Sequence, residues 1–352
     1  MFILNRILWI LNIIAAMALM LAYAAPYVNP MIWWMAAFFG LAFPVLFIAN
    51  LIFVIYWLIQ GKLKVFFSAI VLLMGYSHYS KIVKINGEEA EHTEENTLLV
   101  SMNVKNFGWG TKEVFFDSML HYLSDVKPEI VCFQEFPHRK GDRKLETSAE
   151  LKKKLKMRHL VTNVPSGDGI GVVLFTRYKM LKSGIIKFPE TIGNGAVWAD
   201  LIIRKDTVRV YSVHLQSNKL STAEQFQSED MEDQEKAVKK SKSIIKRLKS
   251  GFEKRSEQVE LLLEHMEDSP YPIIIAGDMN DTQLSYTYRK LRGEGKDAFV
   301  ESGEGAGNTY VGPFPSYRID YIFIPESFSS FSYKSGAHWS SDHKLIQTLI
   351  QH

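Results

Sequence analysis

A carboxylate, a carboxamide or an imidazole closes one short apolar run after another in the C-terminal three quarters of this chain. Ser101-Met-Asn103 ends the first run, Cys132-Phe-Gln-Glu135 the second, Tyr211-Ser-Val-His214 a later one, and Ile275-Ala-Gly-Asp-Met-Asn280 another. Arg318-Ile-Asp320 opens a run instead, and Ser341-Asp-His343 stands near the C-terminus. Taken singly, each has an ordinary explanation: Asp and Asn at strand ends are common turn residues. Taken in order, six such signals are much harder to dismiss: carboxylates, amides and imidazoles can hold a cation, move a proton or stabilise a developing negative charge. Cys132 is no candidate nucleophile. It is the chain's one cysteine and lies within the apolar run Glu129-Ile-Val-Cys-Phe133, where a small buried hydrophobe is expected.

These residues need strands to hold them. From Thr97 onward, short β-rich runs alternate with helical stretches, the pattern of an α/β domain. The strands predicted are Leu98–Asn103, Ile130–Phe133, Gly171–Phe175, Val208–His214, Ile273–Ala276 and Tyr321–Ile324. From about Thr222 to Met266 the chain is dense in Lys, Glu and Gln. Ile244, Ile245, Leu248, Val259, Leu262 and Leu263 recur there at helical intervals, which predicts a long charged helix broken near Gly251. Residues 81–96 read as a polar linker with an acidic end, between an anchor over 1–80 and a catalytic domain over 97–352.

The anchor is read from charge and length. No charged side chain occurs between Arg6 and Lys62. Membrane helices are expected at about residues 7–25, 31–59 and 65–79; the third is short, and two or three spans are compatible with the sequence. Pro44 reads as a tolerated kink and Asn50 as a residue facing another helix. Ala22-Tyr-Ala24 also resembles a small-residue cleavage site, the rival reading of the first segment. Arg6, Lys62 and Lys64 are the basic residues before position 65. With three spans they place the N-terminus and the second connection in the cytoplasm and the catalytic domain outside it. The whole chain has 41 Lys and Arg against 38 Asp and Glu, so the net +3 belongs to the membrane flanks and the remainder is neutral. This argues against strong sequence-independent affinity for nucleic acid, which needs clustered cations, though a local basic patch is compatible with it.

Asn103, Gln134-Glu135, His214, Gly277-Asp-Met-Asn280, Arg318-Ile-Asp-Tyr321 and Ser341-Asp-His343 together resemble the signature blocks of the endonuclease/exonuclease/phosphatase superfamily. That superfamily includes DNases, AP endonucleases, sphingomyelinases and inositol-polyphosphate 5-phosphatases. The resemblance spans roughly residues 96–352. The three-segment anchor, His214-Leu-Gln-Ser-Asn218, and Gly307-Asn-Thr-Tyr310 ahead of Phe314-Pro-Ser-Tyr-Arg-Ile-Asp320 resemble membrane-bound bacterial members, which implies a multi-pass protein of the inner membrane. The fold implied is a four-layer α/β sandwich, two mixed sheets flanked by helices, preceded by transmembrane helices.

The resemblance also implies roles. Glu135, with Asn103 and Asp342, would hold Mg²⁺ (or Mn²⁺), an ion that takes few carboxylates and several waters. Asp278 would orient or deprotonate the attacking water, and Asn280 would meet a phosphate oxygen. His343 would contact the phosphate with its tautomer fixed by Asp320, and His214 would be the candidate acid for the leaving oxygen. Lys105 stands where AP endonucleases carry an acidic ligand, and His214 where they carry Tyr. Asn280-Asp281 and Arg318-Ile-Asp320 depart from the 5-phosphatases. The function expected is metal-dependent phosphodiester hydrolysis of the nuclease type. The alternatives are action on a phospholipid or sphingolipid head group, with the bilayer as partner, and an inactive membrane-bound binding module. An inactive module is expected to lack Glu135, Asp278 or His343, and all three are present.

Overall fold

The computed structural model describes the chain except residues 1, 86, 109–111, 139–146, 165–168, 219–233, 313–315, 337 and 340. Phe314 and Pro315, and the start of the helical stretch at Thr222, lie outside the described residues. Among the described residues, twelve strands form two six-stranded mixed sheets. The first has the order β11 (Ser329–Ser335), β12 (Ile346–Gln351), β1 (Thr97–Asn103), β2 (Ile130–His138), β4 (Gly169–Thr176), β3 (His159–Thr162). The second runs β5 (Lys179–Ile186), β6 (Gly195–Ile203), β7 (Asp206–His214), β8 (Ile273–Asp278), β10 (Asp320–Ile324), β9 (Lys296–Asp297).

Alternation along these strands sends one set of side chains between the sheets and the other outward. Leu99, Cys132, Leu174, Val210, Ile274 and Ile322 fill the inner layer. Val100, Val131 and Phe133 face helices α6 (Lys112–Val126) and α7 (Thr147–Lys154). Tyr211, Val213 and Ile275 face α8 (Gln234–Glu267), with α9 (Tyr286–Arg292) beside it, whereas Ala298 and Phe299 of α10 (Ala298–Ser302) join the inner layer. The result is the expected four-layer sandwich. Strands β3, β5, β6, β9, β11 and β12 were not expected from the sequence. The outer strand β5, for example, is largely exposed and carries Lys179, Lys182 and Ser183, so it lacks an apolar signature.

Helix α8 runs unbroken through Gly251, against expectation. A bare glycine costs about 1 kcal/mol in a helix, but a Cβ at Gly251 would lie 2.5 Å from the Asn218 side-chain oxygen, so close packing requires it.

Ahead of the sandwich come α1 (Phe2–Ala24), α2 (Pro30–Leu41), α3 (Phe43–Ile59), α4 (Val65–Met74) and α5 (Tyr76–Tyr79). One stretch, Phe2–Tyr27, is long and apolar enough to cross a membrane, whereas α2 and α3 meet at 53°. The expected single span over 31–59 is therefore two helices. Pro44 sits in the first turn of α3, where its missing N–H is harmless, so it begins a helix instead of kinking one. Helix α4 has 10 residues, about 15 Å.

Packing in this bundle is inverted relative to a water-soluble one. Asn12, Asn50 and Ser68 are buried, while Ile10, Ile14, Ile52, Ile55 and Leu73 are exposed. Trp57 Nε1 donates to Asn12 Oδ1 at 2.8 Å, Asn12 donates to Ser68, and Ser68 donates to Asn50 Oδ1 at 3.2 Å. Those bonds join α1, α3 and α4 through their polar interior. The bundle packs on the sandwich: Leu284 is buried among Ala22, Tyr23 and Phe43, the Tyr317 hydroxyl donates to the Leu41 carbonyl at 3.1 Å, and Arg318 Nη2 donates to the Lys81 carbonyl at 3.0 Å.

Candidate active site

Strand register assembles the site. In the second sheet β8 is central, parallel to β7 and antiparallel to β10. His214 therefore pairs with Asp278 on one side, and Asp320 pairs with Asp278 on the other. In the first sheet Asn103 pairs with Gln134, one residue before Glu135. Two local features aim these side chains. Gly277 (φ +146°) admits no side chain, because a Cβ there would lie 2.0 Å from the Val213 carbonyl oxygen. Glu135 has φ +50° within the β2 bulge between Phe133 and Phe136. A bulge re-aims its side chain, and left-handed strain in a non-glycine residue commonly marks a functional position.

Asp278 Oδ2 is the point of convergence. Asn103 Nδ2 donates to it at 3.0 Å and Asn280 Nδ2 at 3.1 Å, while His214 Nε2 and His343 Nε2 each lie 3.7 Å away. The Asn280 backbone N–H donates to Asp278 Oδ1 at 2.8 Å. Burial in this cluster, then the Asp320 charge, raises the Asp278 carboxyl above the ordinary range, against the opposing pull of His343 and His214.

His343 Nδ1 lies 2.9 Å from Asp320 Oδ2 and 3.1 Å from Oδ1, a carboxylate that accepts from the ring N–H. Burial alone would lower the imidazole pKa. The charges of Asp320 and Asp278, with that hydrogen bond, outweigh it and push the value up to about 10. His214 Nδ1 donates to the Gly193 carbonyl at 3.2 Å, which turns Nε2 into the site; that nitrogen is buried without a hydrogen-bond partner among the described residues. It is 3.8 Å from Glu135 Oε1. The carboxylate neighbours of His214 that could not be placed from the sequence are thus Asp278 and Glu135.

All eight residues expected at the site meet here. Asn280 is set differently from expectation: its amide donates to Asp278 and to the Leu215 carbonyl at 3.0 Å, so it holds Asp278 and is not turned outward. One oxygen of Asp342 is engaged as well. Lys105 Nζ lies 2.6 Å from Asp342 Oδ2, so a cation stands against this carboxylate. Sequence reasoning did not assign Lys105 a role. The Gly307–Tyr310 block, singled out in the sequence without a role for either residue, supplies two more contacts: the Thr309 hydroxyl accepts from the Asp320 N–H at 3.1 Å, and the Tyr310 ring lies 5.5 Å from that of His343. Contacts between residues remote in sequence leave no spacing signal.

The donor set suits a divalent cation. Glu135, Asp278, Asp320 and Asp342 outnumber Lys105 and protonated His343, so the site is negative before an anionic substrate arrives. Glu135 is partly exposed, and among the described residues its one hydrogen-bond donor is Asn103 Nδ2 at 3.2 Å. Asp278, Asp320 and His343 also place one ligand atom each within 4.8 Å of one another. His343 is committed to Asp320 and favours its protonated form, in which it cannot ligate, so this trio suits proton handling better than metal binding.

Residues 251–343 match the model of the Endonuclease/Exonuclease/phosphatase family, and residues 5–82 match that of a domain of unknown function. No curated protein matches the chain by sequence. Among solved structures, D. rerio TDP2 complexed with a single-strand DNA product is similar at 18% identity and TM-score 0.55, covering 73% of this chain and 99% of that one. The endonuclease/exonuclease/phosphatase from Bacteroides vulgatus is similar at 15% identity and TM-score 0.52, covering 73% and 98%. The human Nocturnin catalytic domain with bound sulfate is similar at 16% identity and TM-score 0.51, covering 74% and 95%. At these identities the likeness is one of fold.

Proposed function

We propose that this chain, which belongs to the endonuclease/exonuclease/phosphatase superfamily, is a membrane-anchored, metal-assisted phosphodiesterase of the nuclease type. The observation that carries the reading is the convergence of two imidazole Nε2 atoms on Asp278 Oδ2, both at 3.7 Å. Asp278 is held by two amides and flanked by His343, and it receives the proton of the attacking water. His343, kept protonated by Asp320, donates to a phosphate oxygen. His214, fixed through Nδ1, presents Nε2 to the leaving oxygen. Glu135, with Asn103 and Asp342, would hold a divalent ion such as Mg²⁺ or Mn²⁺. When bound, the ion supplies positive charge against the phosphate and the developing alkoxide.

The bilayer is the proposed partner of α1, α3 and α4, supported by their exposed apolar faces and polar interior. Arg6, Lys62 and Lys64 favour a multi-pass topology with the sandwich outside the cytoplasm. Lys64 lies over Trp9 and Trp57, at 4.8 and 4.7 Å, whereas Leu284, Tyr317 and Arg318 touch residues 22–43 and 81. The basic end and the sandwich thus lie at different ends of these helices.

A second reading, a lipid head group as substrate, is favoured by where the bundle docks. Tyr317, which bonds Leu41, lies three residues from Asp320, at most about 11 Å along the chain. The test is turnover by the full chain in detergent with Mg²⁺ or Mn²⁺, offered plasmid DNA, RNA, sphingomyelin, phosphatidylcholine and a chromogenic phosphodiester. Cleavage of nucleic acid supports the first reading, lipid cleavage the second, and no metal-dependent turnover of any of them contradicts both.

A further inference from the structure

Helix α8 is unevenly charged along its length. Between Val238 and Ser250 it carries Lys239, Lys240, Lys242, Lys246, Arg247 and Lys249 with no Asp or Glu; from Gly251 to Glu267 it carries five Glu against Lys254 and Arg255. The helix dipole acts within the first and last turns, so it does not decide the charge of this middle stretch, which gives the helix a basic segment followed by an acidic one. Lys249 and Lys254 have carboxylate neighbours, Glu253 at 3.6 Å and Glu190 at 3.9 Å, whereas Lys242 and Lys246 have none among the described residues.

The basic half lies against the membrane-proximal helix. Ile244, Leu248 and Phe252 pack on Ala37 and Leu41 of α2, and Lys249 Nζ stands 5.9 Å from the Trp34 ring. The other face of α2 exposes Met31, Ile32, Met35 and Phe38. Helix α2 is thus covered by α8 on one side and presents an apolar strip on the other, joined at 53° to α3. Beside it, Lys246, Arg247 and Lys254 line a cleft of 340 Å³ whose far wall is Gln216–Asn218. Gln216 is two residues from His214, so its Cα lies within about 7 Å of the His214 Cα.

We infer that the basic half of α8 and this cleft form a binding site for the headgroups of anionic phospholipids, which hold the sandwich against the bilayer beside its catalytic cleft. The inference rests on the membrane anchoring proposed above. Charge complementarity selects the ligand, and continuity with the apolar strip of α2 and the exposed faces of α3 selects a bilayer over a soluble polyanion. Basic clusters on amphipathic helices beside a membrane segment bind anionic lipid through the same combination.

The full chain, reconstituted in phosphatidylcholine bilayers, is probed with trace spin-labelled phosphatidylglycerol or spin-labelled phosphatidylcholine, and the motionally restricted fraction of each label is measured. The expected result is a roughly fivefold preference for phosphatidylglycerol, the worth of about one lysine-to-surface contact. The preference falls to parity in Lys242→Ala/Lys246→Ala and in high salt, and is unchanged in Lys152→Ala/Lys153→Ala on the opposite flank. Equal restriction of both labels by the unaltered chain overturns the proposal while leaving anchoring intact. A chain that restricts neither label is not in the bilayer, which overturns the anchoring and this inference with it. Single-stranded DNA binding that needs Lys242 and Lys246, without any lipid preference, makes this a nucleic-acid face and also overturns it.

Discussion

Asp278 and Asp320 face each other across neighbouring antiparallel strands, a like-charge pair bridged by a single imidazole. Two carboxylates opposite one another repel, so the arrangement is stable because His343 is protonated between them. The three groups then act as one unit. His343→Ala is expected to cost roughly 10²–10⁴-fold in rate, and Asp320→Asn a large part of that factor. The double variant should be little worse than His343→Ala alone. Multiplication of the two losses at unchanged stability would separate Asp320 from the proton transfer and shift that role to His214.

The same relationship sets a pH dependence. In the folded chain the His343 pKa, about 10, lies above its ordinary value of 6.5. A raised basic group contributes stability that is complete below 6.5 and declines as pH rises through about 10. Denaturant unfolding should therefore show stability falling between these values, and His343→Gln should flatten the fall. An identical profile in the variant would show that the imidazole is not charged in the folded state.

Metal binding is checked apart from turnover by calorimetric titration of Mn²⁺. Glu135→Gln removes a hard anionic ligand and should weaken binding by at least tenfold while the circular dichroism spectrum and unfolding midpoint stay unchanged. Unaltered affinity would move the ion to Asp278, Asp320 and His343, whose ligand atoms lie within 4.8 Å of one another.

Arg318 tests the junction between the helices and the sandwich. It is fully buried, donates to Asp297 Oδ2 at 2.7 Å and to the Lys81 carbonyl at 3.0 Å, and lies over Phe299 and Tyr321. Removing one partner of a buried ion pair strands the other, at a cost of about 3–5 kcal/mol. Arg318→Met should lower stability by that order, measured by chemical unfolding of the full chain. A loss below about 1 kcal/mol would mean that Asp297 is neutralised elsewhere.

How much of this was legible in the sequence depends on what each residue does. His214, Asp278 and Asp320 end or begin central strands, whose apolar runs announce the boundary, so both the strands and their terminal polar residues could be read. Asn103, which ends β1, was legible for the same reason, and Glu135 because the apolar run stops at Phe133, although β2 continues through its bulge to His138. Strand β12, by contrast, follows His343 with Gln347 and Thr348 facing buried polar partners, which breaks the alternation a reader looks for. The role of Lys105 was hidden because its partner Asp342 is remote in sequence and adjacent only after folding. Gly251 and Pro44 misled because propensity alone was read: the Asn218 side chain decides the use of Gly251, and a place in the first turn of α3 decides that of Pro44.

The central claim is that this site hydrolyses a phosphodiester with help from a divalent ion, through Asp278 and His343. The most direct measurement is the steady-state rate of the full chain in detergent on a chromogenic phosphodiester. It is taken with Mn²⁺, with EDTA, and with Asp278→Asn and His343→Ala variants whose folding has been verified. The account predicts turnover that EDTA abolishes and that falls by roughly 10²–10⁴-fold in each variant. Turnover that persists in EDTA, or that both variants retain, would contradict it.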